Sequence, residues 1–214
     1  IPFEQLWACL NKLLKPDGVV VMFGAEPFSS ALRMSNVKNF KYDWIWEKDN
    51  ASNFFAAKFQ PLNTTENISV FATGGCNNGT KNPVRYYPQD VIKCFKKLTN
   101  GKNVGGLLGQ AHKTAMKQGN IYEQTTTNYP KKILKFSRDA NKIHPTQKPI
   151  ALLEYLIKTY TKENDLVLDF SMGSGSTILA ALNTNRNSIG IELKSDYFKL
   201  ACDRITLAHP HSIN

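Results

Sequence analysis

The sequence predicts an α/β fold, a mostly parallel sheet with helices on both faces, and three observations lead there. From Pro149 onward, helical and strand patterns alternate as helix, strand, helix, strand, helix, the order that builds parallel strands through crossover helices. Val19-Val20-Val21-Met22-Phe23 is an unbroken apolar run, the pattern of a strand covered on both faces. Between the strand at 166–170 and the next helix, Gly173 and Gly175 sit where the chain must turn tightly.

The elements follow in order. Leu6, Trp7, Leu10, Leu13 and Leu14 recur at helical spacing over residues 4–15. Pro16-Asp17-Gly18 ends that helix and turns the chain into the strand at 19–23. Gly24 closes the strand, and a short helix is expected over 29–37. Tyr42-Asp-Trp-Ile-Trp-Glu47 alternates and is rich in aromatics, so it is a strand. Asn67-Ile-Ser-Val-Phe-Ala72 is expected beside it. Pro149 is placed to start a helix through Leu152, Leu153, Leu156, Ile157 and Tyr160. Leu166–Phe170 and Ser188–Glu192 are short strands, a helix carrying Ile178, Leu179 and Leu182 lies between them, and Asp196–Leu207 is the last helix.

At 214 residues and 24.1 kDa the chain can bury one sizeable core with a smaller appendage. Apolar residues make up 42% of it, yet no run approaches the roughly 20 that a membrane helix needs. Four cysteines and four histidines form no metal-ligand spacing, and at that density no disulfide framework, which suits a reducing compartment. The opening Ile-Pro-Phe-Glu-Gln-Leu-Trp has neither an initiator Met nor a signal pattern and reads as the interior of a longer sequence.

The net charge of +10 is local. Residues 76–143 hold 13 Lys/Arg against 3 Asp/Glu, and the rest of the chain is balanced. Such a block either faces a polyanion or is a solvated loop region. The Gly74–Gly79 stretch resembles a linker, and clear periodicity is missing until residue 143. The expected division is therefore a first core half at 1–75, a separate basic module at 76–143, and a second core half at 144–214.

Two constellations carry chemistry. In Asp169-Phe170-Ser171-Met-Gly173-Ser174-Gly175-Ser176-Thr177 a strand ends, glycines let the backbone approach a ligand, and a helix begins. Glu192 follows Gly173 by 19 residues, at the end of the next strand, where a carboxylate can accept both hydroxyls of a ribose. The third glycine of a dinucleotide fingerprint is absent, as is the Lys-Ser/Thr of a phosphate loop. A phosphate-free nucleoside cofactor accounts for both absences; a ligand-free tight turn is the alternative. In His144-Pro-Thr146-Gln147-Lys148-Pro149 two prolines stiffen the entry to a helix that Thr146 or Gln147 could cap.

Taken together, His144–Pro149, Asp169–Thr177 and Gly190-Ile-Glu192 closely resemble the amino-methylating DNA methyltransferases whose catalytic half precedes the cofactor half. The likeness extends to Trp7–Gly24, Tyr42–Lys48 and Thr65–Phe71. It implies a Rossmann-like class I methyltransferase fold and S-adenosyl-L-methionine as cofactor. The implied cofactor-binding residues are His144, Thr146, Gln147, Lys148, Asp169, Phe170, Ser171, Gly173, Ser174, Gly175, Ser176, Thr177 and Glu192. Asp169, Ser171, Gly173 and Gly175 would meet the methionine portion, Thr146 and Lys148 its carboxylate, and Glu192 the ribose. Where the family often has Asp-Pro-Phe, this chain has Asp169-Phe170-Ser171, and Met172 precedes the glycine.

The family's catalytic tetrapeptide, an Asp, Asn or Ser, then two residues usually Pro-Pro, then an aromatic, is not in this sequence. By family order it is expected upstream of Ile1, so no residue here is assigned to catalysis. By the same order 76–143 is the target-recognition region, binding double-stranded DNA. Its lysines, interleaved with Tyr86, Tyr87, Phe95 and Tyr129, suit phosphates and bases. Trp44 and Trp46 either flank the base pocket or pack in the core, core packing being preferred, and Lys48 is placed at the pocket edge. The resemblance further implies a homodimer, a cognate restriction endonuclease and a cytoplasmic setting in a bacterium or phage host. Adenine is the preferred target and cytosine remains open. Competing readings are a catalytically silent DNA-binding subunit, an RNA methyltransferase and a nicotinamide-dependent oxidoreductase.

Overall fold

The computed structural model describes residues 2–99 and 121–210. The chain forms two compact units, one of residues 1–87 and 131–214, the other of residues 88–130.

In the first unit, helix α1 (Phe3–Leu13) buries Trp7 and Leu10, and the Trp7 indole N–H donates to Ser35 Oγ at 2.8 Å. Strand β1 (Val19–Gly24), helix α2 (Phe28–Met34), strand β2 (Phe40–Glu47) and strand β3 (Thr65–Ala72) follow. β3 lies between β1 and β2 and runs antiparallel to both. The short strand β6 (Ile133–Lys135) adds in parallel to β2, which gives the order β1-β3-β2-β6. This sheet is mixed where a mostly parallel one was expected, and the connections explain it. α2 carries the chain from β1 to a parallel β2, but residues 48–64 hold only a single 3-10 turn at Phe54–Ala56, too little for a crossover, so β3 returns reversed.

The two sheet faces are covered as the apolar pattern requires. Ile68 and Val70 of β3, Trp44 and Trp46 of β2 and Leu134 of β6 pack against Leu152, Leu156 and Tyr160 of helix α3 (Ile150–Tyr160). Phe71, one residue out of phase, faces Trp7, Leu10 and Leu32 on the other side. Trp44 and Trp46 are thus core residues, 4% and 2% exposed. Their indole N–H groups donate to Tyr160 Oη at 2.6 Å and to the Phe136 carbonyl at 2.8 Å. The run Val19–Phe23 is only half-buried. Among the described residues β1 is hydrogen-bonded to β3 alone.

Strand β7 (Leu166–Asp169), helix α4 (Ser176–Asn183), strand β8 (Asn187–Gly190) and helix α5 (Ser195–Ala208) complete the unit, with β7 and β8 parallel. β8 stops two residues short of Glu192, although the Ile191 N–H still donates to the Asp169 carbonyl at 2.8 Å. α4 packs on α3 through Ala180, Ala181, Leu153 and Ile157, and on α5 through Ile178, Leu179, Ala201 and Ile205.

The basic segment does not act as one block. Residues 76–87 and 131–143 belong to the first unit, and four of their cations pair with carboxylates of that unit. Arg85 pairs with Asp17 and Asp165, Lys132 with Asp43, Lys135 with Glu47, and Arg138 with Asp49. The described part of the second unit is an antiparallel pair of β4 (Ile92–Thr99) and β5 (Ile121–Thr127), with an irregular register between Lys93 and Lys96. Lys93, Phe95, Lys96 and Lys97 are exposed on it.

Candidate functional site

The turn after β7 is shaped by its glycines. Gly173 has φ +52° and Gly175 φ +75°, left-handed values that L side chains rarely adopt. A Cβ on Gly173 would stand 3.2–3.3 Å from the His144 ring, and one on Gly175 would stand 3.1 Å from Ala201 and Ile205. The turn is locked by the Gly175 N–H donating to the Met172 carbonyl at 2.8 Å and the Met172 N–H to the Ile191 carbonyl at 3.0 Å. Met172 is buried among Ile178, Leu179, Ala201 and Ile205, which holds the turn down on α4 and α5.

Glu192 is tied to this turn. Its Oε2 accepts the Gly173 N–H at 2.9 Å and its Oε1 the Lys194 N–H at 3.0 Å. Backbone N–H groups, that of Lys194 foremost, hold its carboxyl below the ordinary glutamate value against an opposing effect of burial; Gly173, Leu193 and His144 add to the lowering. At the end of β7, Asp169 Oδ1 accepts the Ser171 N–H at 3.0 Å. The expected pairing of glycine turn and carboxylate is therefore present, with the carboxylate also serving as the turn's anchor.

The segment 144–149 forms a wall beside the turn. The His144 ring lies edge-on to Tyr197 of α5, with centroids 4.3 Å apart, and its Nδ1 is 3.2 Å from Thr146 Oγ1. Gln147 is held by its own loop: its amide donates to Asp139 Oδ2 and the Asn141 carbonyl, and its Oε1 accepts the Ile143 N–H. The expected cap from Thr146 or Gln147 is replaced. α3 has no side-chain cap from its N-cap residue Pro149, and the Ile150 N–H donates instead to Asp139 Oδ1 at 3.3 Å. Lys148 reaches across to Glu66 Oε1 at 2.5 Å, and Lys48 meets Oε2 of the same carboxylate at 3.4 Å. Both ammonium groups lie over the Trp46 ring, and that of Lys148 also lies over Phe23.

Not every sequence-expected residue turns its side chain toward the same space. Phe170 packs with Trp7, Leu10 and Phe71. Ser174 and Ser176 are 2% and 5% exposed, and Arg204 of α5 donates to both hydroxyls, at 3.3 and 2.9 Å. Burial lowers the Arg204 pKa while Asp139 raises it. Ser171 is exposed and Thr177 half-buried. Glu66, Asp139, Tyr197 and Arg204 went unassigned in the sequence, because each acts through a partner brought near by the fold. A separate concavity of about 200 Å³ lies at the carboxyl ends of β2 and β6, between Lys48, Lys135 and Phe136.

Comparison with known proteins identifies the family. A family model described as DNA methylase matches residues 3–203. Type II methyltransferase M2.DpnII of Streptococcus pneumoniae is 30% identical over 95% of this chain, which spans 66% of that relative's length. The crystal structure of the M1.HpyAVI–SAM complex is 28% identical, with a TM-score of 0.60 over 94% of this chain and 80% of its own. A cytosine-N4-specific enzyme, PvuII DNA methyltransferase, shares the fold at 19% identity and a TM-score of 0.60 over 94% of this chain and 70% of its own. With the family model spanning nearly the whole chain, this protein belongs to the DNA methylase family.

Proposed function

We propose that this chain forms the cofactor-binding core of a site-specific DNA methyltransferase. The enzyme transfers a methyl group from S-adenosyl-L-methionine to the exocyclic amino group of adenine, or of cytosine, in double-stranded DNA. The observation that carries the reading is the left-handed Gly173 turn, its N–H bonded to Glu192 and its open side closed by His144. Members of the family supply the precedent for the ligand, and the residues fit it. Glu192 keeps acceptor capacity on both oxygens for a ribose diol, since each carboxylate oxygen has two lone pairs. Leu193 beside it is 97% exposed and offers an apolar face to adenine.

Asp169, Ser171, Gly173 and Gly175 line the space for the methionine portion. Thr146 and Lys148 face its carboxylate, and Lys148 has further N–H donors beyond the one given to Glu66. His144, Gln147 and Thr177 complete the wall. Phe170, Ser174 and Ser176 contribute backbone, because their side chains are engaged elsewhere. When bound, the cofactor supplies a methyl group on a sulfonium, already activated for transfer. The chain's own part is to hold that group in line and exclude water. The groups that accept the amino hydrogens of an extruded base belong to the tetrapeptide absent from this sequence.

Within the basic segment 76–143, the compact unit 88–130 is assigned to target recognition, with the exposed lysines and Phe95 of β4 as its DNA-facing groups. A homodimer, a cognate restriction endonuclease and a cytoplasmic site of action complete the proposal. The second reading is a silent DNA-binding subunit of the same fold, which a degenerate tetrapeptide in the full-length sequence would favour. Incubating the full-length protein with radiolabelled S-adenosylmethionine and unmethylated bacterial DNA separates the two. Label in DNA supports the enzyme, and label-free DNA with intact S-adenosylhomocysteine binding supports the silent subunit. Binding of NAD alone in calorimetry would overturn both. Removing residues 88–130 is expected to abolish salt-sensitive DNA binding and to leave S-adenosylhomocysteine binding unchanged; full DNA affinity in that variant would show the reader lies elsewhere.

A further inference from the structure

Residues 49–64, between β2 and β3, place three phenylalanines in water. Phe54, Phe55 and Phe59 are 62%, 95% and 89% exposed, and Leu62 is 43% exposed. Large apolar side chains clustered this way on a surface mark a contact site. The loop that carries them is closed and stiff. At its neck the Asn53 side chain accepts the Asn63 N–H at 2.5 Å and donates to the Pro61 carbonyl at 3.1 Å, while the Ser52 N–H donates to the Asn63 carbonyl at 3.1 Å. Above the neck, the 3-10 turn and the Phe59 and Gln60 N–H groups donating to the Ala56 carbonyl fix the tip.

The loop is rooted on the rim of the candidate site. It leaves directly after Lys48 and returns just before Glu66, and Glu66 holds Lys148 of the wall beside the glycine turn. Its chemistry favours a nucleic acid. Its one acid, Asp49, faces Arg138 at 3.7 Å, and its one cation, Lys58, stands one residue before Phe59. The remaining polar residues are amides and hydroxyls, and a membrane surface would call for more basic residues than one.

We propose that this loop is a DNA wedge: Phe55 and Phe59 enter the base stack of the bound duplex where the target base has been extruded. The proposal rests on the DNA methyltransferase reading. Methylation of a base amino group requires the base to leave the helix, and the gap left behind exposes the faces of its neighbours. A flat apolar ring on a stiff loop fills that gap, as apolar wedges do between base steps, and stacking on a base is insensitive to its identity. Lys58, exposed and next to Phe59 in the chain, can meet a flanking phosphate.

The test uses the full-length protein in two variants. In Phe55→Trp the introduced indole is the exposed one, since Trp7, Trp44 and Trp46 are 8%, 4% and 2% exposed. Its emission should be readily quenched by acrylamide in the free protein, and shielded when unmethylated bacterial DNA and S-adenosylhomocysteine are added. In the double variant Phe55→Ser/Phe59→Ser, kcat/KM for DNA should fall about tenfold or more, with S-adenosylhomocysteine affinity unchanged. A full methylation rate in the double variant, or an indole still open to acrylamide in the DNA complex, overturns the wedge and leaves the enzyme reading standing. Conversion of a dimer into a monomer by the double variant in sedimentation also overturns it, by showing a subunit interface. Failure of the unaltered protein to methylate any DNA removes the enzyme reading and the wedge together.

Discussion

Glu192→Ala is the substitution on which the cofactor site stands or falls. The carboxylate accepts the Gly173 and Lys194 N–H groups at 2.9 and 3.0 Å, and the proposed function adds the ribose to its partners. Alanine removes all of these bonds. A hydrogen bond to a charged group contributes about 1.5–3 kcal/mol, which corresponds to roughly tenfold to 150-fold weaker binding of S-adenosylhomocysteine. Calorimetric titration reads this directly. Glu192→Gln keeps one acceptor oxygen and loses the charge, so it should fall between the parent and the alanine variant. The pH dependence supplies a second reading. The folded-state pKa lies below the ordinary glutamate value, so the carboxylate's contribution is fully present above that value and is lost as pH falls through the lowered one. Affinity attributable to Glu192 should therefore be flat around neutral pH and fall only in acid. Unchanged affinity in Glu192→Ala, with the fold intact by thermal unfolding, would refute the ribose assignment.

Three further outcomes follow from the same geometry. Gly173→Ala forces an L side chain into φ +52° beside the His144 ring and should cost about 1–2 kcal/mol of stability as well as cofactor affinity, measured by urea unfolding and calorimetry. Tyr160→Phe leaves the buried Trp44 N–H without its acceptor and removes the contact to the Tyr42 hydroxyl, whose pKa burial pushes up to about 12. The expected loss is about 1–3 kcal/mol, or a Tm lower by roughly 2–10 °C, and an unchanged Tm would contradict it. Arg85 bonds to Asp17 and lowers its pKa, so this pair stabilises the fold above the ordinary aspartate value and ceases to as pH falls through the lowered one. The stability difference between the parent and Arg85→Ala, which also removes the pair to Asp165, should be about 1–2 kcal/mol at neutral pH and should shrink in acid.

Local patterns made most of the secondary structure legible. Helical spacing in α1, α3 and α5 and apolar runs in β1, β3 and β7 depend on neighbours within a few residues, and the structure has elements where those patterns lie. The glycine turn and Glu192 were legible for a related reason: a positive φ leaves glycine as its mark, and a strand of fixed length sets the distance to the carboxylate. The basic segment was misleading as a unit. Its charge is a property of composition, while its division into ion pairs of the first unit and a separate strand pair depends on which carboxylates the fold brings near.

By itself, the sequence determined the α/β class, the elements outside the basic segment, the glycine turn and the family. Only the tertiary structure decided that β3 inserts antiparallel between β1 and β2, that Asp139 caps α3, and that Ser174 and Ser176 turn inward to Arg204. It also decided that Glu66 gathers Lys48 and Lys148. The physical reason is range. Periodicity and backbone conformation act between near neighbours and leave a pattern in the chain, whereas pairing order and ion pairing join residues tens of positions apart and leave none.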